Sequence, residues 1–91
     1  MVLYGKFFNN QPIMTGYTKD NPFQRERQIL GSTIKEIREN GKLTQEDLAD
    51  KAHINVSYLA KIENGYVNTT VRYLIKLSRG LGIKVKDLFE F

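Results

Sequence analysis

Side chains that can make selective contacts are concentrated between positions 55 and 61. They are Asn55, Val56, Ser57, Tyr58 and Lys61. Lysine donates hydrogen bonds to the O6 and N7 acceptors of guanine, valine contacts the methyl group of thymine, and serine is adaptable. Such side chains distinguish base pairs only from the exposed face of a helix, near its N-terminus. The surrounding sequence must therefore supply such a helix and an element that positions it.

A first short helix is predicted directly after Thr44. Thr44 is a good N-cap, and Asp47 three residues later completes an approximate capping box. Leu48 and Ala52 lie four residues apart and therefore share one face of this helix. Ala49 is small, as is required where two crossing helices approach closely.

A second short helix is predicted to begin at Val56, after an interruption at positions 53–55. Asn55 can cap this helix, and Gly65 ends it as the residue after the C-cap. Leu59 and Ile62 form its buried stripe, so the side chains at 56, 57, 60, 61 and 64 face outward. The two helices together form a helix-turn-helix, whose second helix normally enters the major groove of DNA.

The run 43–89 resembles the phage-repressor family of helix-turn-helix domains (lambda-repressor/Cro-like, Xre). The resemblance is carried by Leu43-Thr44-Gln45-Glu46-Asp47-Leu48-Ala49, by Ser57-Tyr58-Leu59-Ala60-Lys61-Ile62-Glu63-Asn64-Gly65, and by Leu81-Gly82-Ile83 with Asp87-Leu88-Phe89. With the preceding helix around 34–38 it covers about the last two-thirds of the chain. His53 departs from the family, which usually has a left-handed glycine there, but histidine tolerates positive φ better than most residues.

The resemblance implies which residues contact DNA bases. The principal base contacts of the family fall on Val56, Ser57 and Lys61. A phosphate contact that positions without specifying is the alternative for Lys61. Packing against the rest of the domain is an equal alternative for Tyr58.

Contacts with the DNA backbone are predicted at two places. Gln45 opens the first motif helix, where free amide groups and the helix dipole favour a phosphate, and the family uses this glutamine for that purpose. The C-terminal end of the second helix and the loop after it supply further phosphate candidates: Asn64, Tyr66, Asn68 and Thr69. For the loop residues, ordinary turn chemistry is the equal alternative.

The resemblance also implies a structural ion pair between Arg38 and Glu63. In the similar repressors, an arginine of the first helix pairs with the glutamate before Asn-Gly. We expect this pair to connect the first helix to the second motif helix, and we do not expect Glu63 to be catalytic.

Composition excludes several other functions. The 91 residues suffice for one small domain, with no cysteine and one histidine. A disulfide framework, a metal site and a cofactor are therefore not expected. The sequence has no P-loop or GxGxxG run and no plausible nucleophile, so we do not expect an enzyme. No apolar run could span a bilayer and no signal peptide is visible, which predicts a soluble cytoplasmic protein.

The net charge of +4 is unevenly distributed. From Asn55 to Lys86 the only acidic residue is Glu63. The basic residues of this segment are Lys61, Arg72, Lys76, Arg79, Lys84 and Lys86. A positive excess that begins with the second motif helix has the sign needed to contact phosphates. The alternative is that these cations only keep a small domain soluble.

The predicted fold is all-α, a five-helix lambda-repressor-like bundle with a small N-terminal β-hairpin or extended arm. Residues 1–21 form the N-terminal extension, and residues 22–91 form the helix-turn-helix domain. A long first helix is predicted from Pro22 to about Asn40, with Asn21 as its cap, Phe23 in its core stripe and Gly31 weakening its middle.

Two further helices are predicted after the motif. Thr69 or Thr70 caps a fourth helix that ends near position 80, and positions 84–91 form a short last helix. The fourth helix is expected to place four apolar side chains inside: Val71, Leu74, Ile75 and Leu77.

The predicted function is sequence-specific binding of double-stranded DNA by a transcriptional regulator, as a homodimer on an inverted repeat. The dimer surface is assigned to Val85, Leu88, Phe89 and Phe91, although the first three can instead close the core of the monomer. An antitoxin-type autoregulator that binds a protein partner through residues 1–20 is the alternative. A protein-interaction module that has lost DNA contact is a third possibility.

Overall fold

The structure is a computed structural model that describes residues 23–89. Its elements are α1 (Gln24–Asn40), α2 (Gln45–Ala52), α3 (Val56–Glu63), α4 (Val71–Leu81) and a 3₁₀ helix (Val85–Leu88). Between residues 23 and 89 there is no strand. The predicted β-hairpin or arm at 1–21 lies outside the described residues, as does Phe91.

The prediction of five α-helices is wrong at the C-terminal end. Residues 85–88 form a single 3₁₀ turn instead of the start of an α-helix. Asp87 closes this turn by accepting a hydrogen bond from the backbone N–H of Lys84 at 3.1 Å. Phe89 then leaves the helical region, with φ −114° and ψ 50°.

The first helix begins at Gln24, two residues later than predicted. Phe23 has φ 61°, a left-handed conformation, and its side chain makes no cap hydrogen bond. A non-glycine residue with positive φ does not continue an α-helix, so the regular turns start only after it. Phe23 is also 49% exposed and therefore does not belong to the core stripe.

Gly31 is a contact point between α1 and α3, and the helix passes through it without interruption. A Cβ atom built at this position would lie 2.3 Å from the carbonyl oxygen of Ile62 and 2.5 Å from that of Glu63. Only a glycine lets the two backbones approach so closely. The glycine that weakens α1 as an isolated helix therefore brings α1 against the end of α3.

One core joins all these elements. α1 packs on α3, and α2 packs on both α3 and α4. The buried apolar residues are Ile34, Leu48, Ala49, Ala52, Leu59, Ile62, Leu74, Leu77 and Leu88. The small residues Ala49 and Ala52 lie where α2 meets its neighbours, as close packing of crossing helices requires.

The prediction that Val71 lies in the core is wrong. It is 68% exposed, whereas Leu74 and Leu77 further along α4 are buried. Val71 is the first residue of α4, and this first turn extends beyond the stripe that faces the core. Over residues 23–89, no helix is long and apolar enough to cross a membrane.

Candidate nucleic-acid interface

Local structure sets both ends of α2, with a capping box at its start and a left-handed residue at its end. The Thr44 hydroxyl accepts from the backbone N–H of Asp47 at 3.0 Å, and the Asp47 carboxylate accepts from the backbone N–H of Thr44 at 2.9 Å. This confirms the predicted capping box, and these bonds lower the pKa of Asp47. His53 ends α2 with φ 57° and ψ 48°, so it adopts the left-handed conformation expected at this position.

The cap of α3 is the one predicted. The Asn55 side-chain oxygen accepts from the backbone N–H of Tyr58 at 3.1 Å. This bond uses one of the two lone pairs of the oxygen, and the amide nitrogen of Asn55 offers two further donors for a base contact. Leu59 and Ile62 are buried beneath the helix.

The outer face of α3 carries the remaining predicted base contacts. Val56, Ser57 and Lys61 are exposed, with Val56 36% accessible. Tyr58 differs from them, because it is half-buried and its ring lies against Tyr73 of α4, with ring centroids 4.7 Å apart. The face available for base reading is therefore formed by 56, 57 and 61, with Tyr58 at its border with α4.

The C-terminal end of α3 is joined to α1 by a buried ion pair. Arg38 Nε donates to Glu63 Oε2 at 2.7 Å and Nη2 donates to Oε1 at 3.1 Å. The side chains are only 8% and 1% exposed. The hydrogen bonds to Glu63 raise the pKa of Arg38, so the guanidinium is charged throughout the range in which proteins fold. Arg38 Nη1 also donates to the carbonyl of Leu43 at 2.7 Å.

Gln45 joins this ion pair, which the sequence reasoning missed. Its amide nitrogen donates to Glu63 Oε1 at 2.9 Å. A side-chain amide has two donor hydrogens, so one remains for the predicted phosphate contact. The ion pair therefore orients the side chain that opens α2, in addition to connecting α1 with α3.

A side chain of α1 holds the loop after α3 in place. Asn64 is the C-cap of α3, and Gly65 follows with φ 74°. Arg27 Nε donates to the carbonyl oxygen of Gly65 at 3.0 Å. Among the predicted phosphate contacts in this loop, Tyr66 is 73% exposed and Asn68 is exposed, whereas Thr69 is half-buried.

The surface charge between residues 55 and 86 is entirely positive. The only acidic residue there is Glu63, and it is buried against Arg38. Five of the six basic residues are exposed and Lys76 is half-buried. Residues 55–86 therefore contribute exposed cations and no exposed carboxylate of their own, which favours contact with phosphates.

A helix-turn-helix family model matches residues 34–88, which is more than half of the chain. The chain belongs to the helix-turn-helix family. This is the Xre-type family that the sequence motifs resemble, and the match extends from the core residue Ile34 of α1 to Leu88 of the 3₁₀ turn.

The relatives of the chain are named regulators. It is 45% identical over 59 residues to the immunity repressor protein of Bacillus phage phi105, which is 65% of this chain and 41% of that protein. It is 32% identical over 66 residues to control protein C.BamHI of Bacillus amyloliquefaciens, covering 71% of this chain and 82% of that protein. The described helices are therefore those of a DNA-binding transcriptional regulator.

The fold comparison agrees with this assignment. The crystal structure of the restriction-modification controller protein C.AhdI from Aeromonas hydrophila superposes with a TM-score of 0.70 and 29% identity. The superposition covers 71% of this chain and 98% of that chain. The match with the phage repressor covers only 41% of that protein, so the assignment concerns the helix-turn-helix domain alone.

The residues predicted to form a dimer surface differ in how deeply they are buried. Leu88 has no exposed surface and belongs to the core of the protomer, so it cannot form an outer contact as predicted. Its side chain closes the bundle beneath α4 and α1, onto which the 3₁₀ turn packs. Val85 is half-buried and Phe89 is 46% exposed.

Proposed function

We propose that the protein binds DNA sequence-specifically as a homodimer on an inverted repeat, with α3 in the major groove. The observation that supports this most directly is the outer face of α3. It presents Val56, Ser57 and Lys61 to solvent while Leu59 and Ile62 anchor the helix in the core. A short exposed face fixed by buried residues is the geometry that direct readout requires.

Each candidate has a chemically defined part in this binding. Lys61 donates to guanine acceptors, and Val56 contacts a thymine methyl group. The Ser57 hydroxyl bonds to either a donor or an acceptor on a base edge. A bidentate contact of Lys61 with guanine would contribute roughly 1–3 kcal/mol of discrimination. Gln45 donates its remaining amide hydrogen to a phosphate and thereby positions α3 along the groove. Tyr66 and Asn68, in the exposed loop after α3, contact the phosphate backbone of the DNA at the C-terminal end of that helix.

A homodimer follows from the small size of this face. One α3 touches too few base pairs to be selective, whereas two related by a dyad axis, about 34 Å apart, read successive faces of the major groove. We assign the dimer surface to Val85, Phe89 and Phe91, without the buried Leu88. Phe89 borders an apolar groove that also contains Leu30 and Val67.

Selection of binding sites from a random duplex pool tests the reading face. We expect the full chain to enrich an inverted repeat and the Ser57→Ala, Lys61→Ala double variant to give blurred half-sites. The matched control is Ser32→Ala with Lys35→Ala, which makes the same two changes at exposed positions of α1. Equal blurring by both double variants, or no enriched sequence with folded wild-type protein, would contradict the proposal.

Sedimentation of the Phe89→Ala variant tests the dimer surface. Loss of an interfacial aromatic anchor typically weakens association by tenfold or more. Val71→Ala removes another exposed apolar side chain, on α4, and is expected to leave the monomer–dimer equilibrium unchanged. An unaltered equilibrium in Phe89→Ala would exclude this surface.

The antitoxin-type alternative is not favoured, because the relatives are named as regulators and repressors.

A further inference from the structure

A group of side chains on α4, outside the helix-turn-helix, contacts the N-terminal turn of α3. We call Tyr58, Tyr73 and Lys76 the tyrosine cluster. The ring centroids of Tyr58 and Tyr73 are 4.7 Å apart and their planes are inclined by 47°. Lys76 Nζ lies 5.6 Å from the centroid of the Tyr73 ring. These distances are those of favourable aromatic and cation–π contacts.

The cluster also reaches the turn between α2 and α3. Lys76 Nζ is 3.4 Å from the carbonyl oxygen of His53, the residue that ends α2. The Tyr58 hydroxyl is 3.5 Å from Thr69 Oγ1, immediately before the cap of α4. The turn, the first turn of α3 and the start of α4 are therefore connected through one half-buried group of side chains.

Tyr58 occupies the third position of α3, directly after the exposed Ser57. A tyrosine in the first turn of a helix without a neighbour has several accessible rotamers, and ordering it on binding DNA would cost entropy. Contact with Tyr73 orders the ring before DNA arrives, and binding groups that are ordered in advance lose less entropy on association. Tyr58 is half-buried, so part of this residue stays accessible at the border of the reading face.

We propose that Tyr73 is a positioning residue for base recognition: it fixes the Tyr58 ring and thereby helps to set sequence preference from α4. This inference rests on the proposed function, because it assumes that α3 reads bases. Lys76 supports the same arrangement by its contacts with the Tyr73 ring and the His53 carbonyl. If the contact served folding alone, its loss would lower stability and would leave the preference between DNA sequences unchanged.

The test measures the ratio of Kd values for the selected duplex and for duplexes with single base-pair changes across each half-site. The proteins are the full-length wild type, Tyr58→Ala, Tyr73→Ala and the double variant. We expect Tyr73→Ala to reduce discrimination about threefold to tenfold, the range that a lost aromatic contact implies. The loss should occur at the same base pairs as in Tyr58→Ala, and the double variant should lose no more than Tyr58→Ala alone.

Three controls separate positioning from folding. Tyr73→Phe keeps the ring and should retain wild-type discrimination. Tyr73→Leu keeps apolar volume without the ring and should lose discrimination as Tyr73→Ala does. Tyr66→Ala removes an exposed tyrosine outside the cluster and should weaken all duplexes alike. Thermal unfolding of each variant establishes that the protein assayed is folded.

The outcomes distinguish the inference from the proposed function. If the wild type prefers a sequence but Tyr73→Ala and Tyr73→Leu leave every Kd ratio unchanged, the positioning role is overturned and DNA reading by α3 stands. Additive losses from Tyr58→Ala and Tyr73→Ala also overturn it, since they show independent action. If the folded wild type prefers no sequence, both proposals fail.

Discussion

At its C-terminal end α3 rests on buried charge, with Glu63 bound to Arg38 and Gln45 and the backbone of Ile62 against Gly31. At its N-terminal end it is held by groups that water can reach: the Asn55 side chain, which caps the helix, and the Tyr58 ring on Tyr73. The same eight-residue helix is therefore held strongly at one end and weakly at the other.

The difference follows from what happens when one partner is removed. Water replaces a lost partner at an exposed end, so little free energy of unfolding is lost. A buried charge cannot be compensated in this way, and its desolvation remains as a penalty. We therefore expect substitutions at the C-terminal end of α3 to change the free energy of unfolding. Substitutions at the N-terminal end should mainly change the preference between DNA sequences. Three predictions test this contrast, and a fourth concerns the capping box of α2.

The largest effect is expected from Glu63→Ala. Arg38 would remain buried without its carboxylate, and breaking a buried pair costs about 3–5 kcal/mol of unfolding free energy. Urea denaturation measures the change. The matched control is Glu39→Ala, because Glu39 also lies near Arg38, at 3.8 Å, but its side chain is 56% exposed. An exposed pair contributes about 0–1 kcal/mol, so equal losses in both variants would remove the distinction between buried and exposed charge.

Gly31→Ala should give the next largest loss. Alanine is about 1 kcal/mol better than glycine in a helix interior, so α1 alone would gain stability. In the folded protein the new methyl group meets the carbonyl oxygens of Ile62 and Glu63, and overpacking of this kind costs roughly 1–3 kcal/mol. Gly41→Ala is the control, since its nearest neighbours lie 3.5 Å away. A more stable Gly31→Ala protein would show that α1 and α3 can separate without cost.

A smaller effect is expected at the N-terminal end of α3. Asn55→Ala removes the cap on the backbone N–H of Tyr58 and should cost about 1 kcal/mol, whereas Asn55→Ser retains a cap and should cost much less. Guanidinium unfolding of the two variants measures the difference. A loss from Asn55→Ala as large as that from Glu63→Ala would show that the two ends are held equally strongly.

The smallest effect concerns the capping box of α2, which positions the start of the motif. Hydrogen bonds with Thr44 lower the pKa of Asp47 below its ordinary value of 3.8 in the folded state. The ionised carboxylate therefore stabilises the fold fully above pH 3.8, and this contribution is lost as the pH falls from 3.8 towards the lower folded-state value.

The stability difference between wild type and Asp47→Ala should accordingly be larger at pH 6 than at pH 3. Glu46→Ala removes the neighbouring exposed carboxylate, which is not part of the capping box, and serves as the control. Thermal unfolding at the two pH values measures both differences. A difference for Asp47→Ala that does not change with pH would show that the box does not depend on the carboxylate charge.

Much of the local structure was predictable because its causes are local. The caps at Thr44 and Asn55 and the left-handed His53 depend on residues within a few positions of each other, and all three are confirmed. Of the two caps predicted for α4, Thr69 and Thr70, the structure has Thr70. The start of α1 at Gln24 was missed because Phe23 takes a positive φ that an aromatic residue rarely adopts.

The candidate reading face was equally accessible to sequence reasoning. A helix with Leu59 and Ile62 inside directs positions 57 and 61 away from the core, whereas Val56, three residues before Leu59, lies beside the buried stripe and is 36% exposed. The individual roles of these residues toward DNA remain predictions. The interaction of Gln45 with Glu63 was not predicted, because it joins residues 18 positions apart and depends on how α2 meets the end of α3.

Residue types and spacing determine that this chain forms a helix-turn-helix, where its two helices begin, and which side of α3 is apolar. Three features depend on contacts between distant segments: the approach of α1 to α3 at Gly31, the role of Gln45 beside Glu63, and the contact of Tyr58 with Tyr73. Hydrogen-bond caps and helical periodicity act within a few residues and are therefore encoded locally. Packing and buried charge depend on which helices meet, and that is established only when the whole core forms.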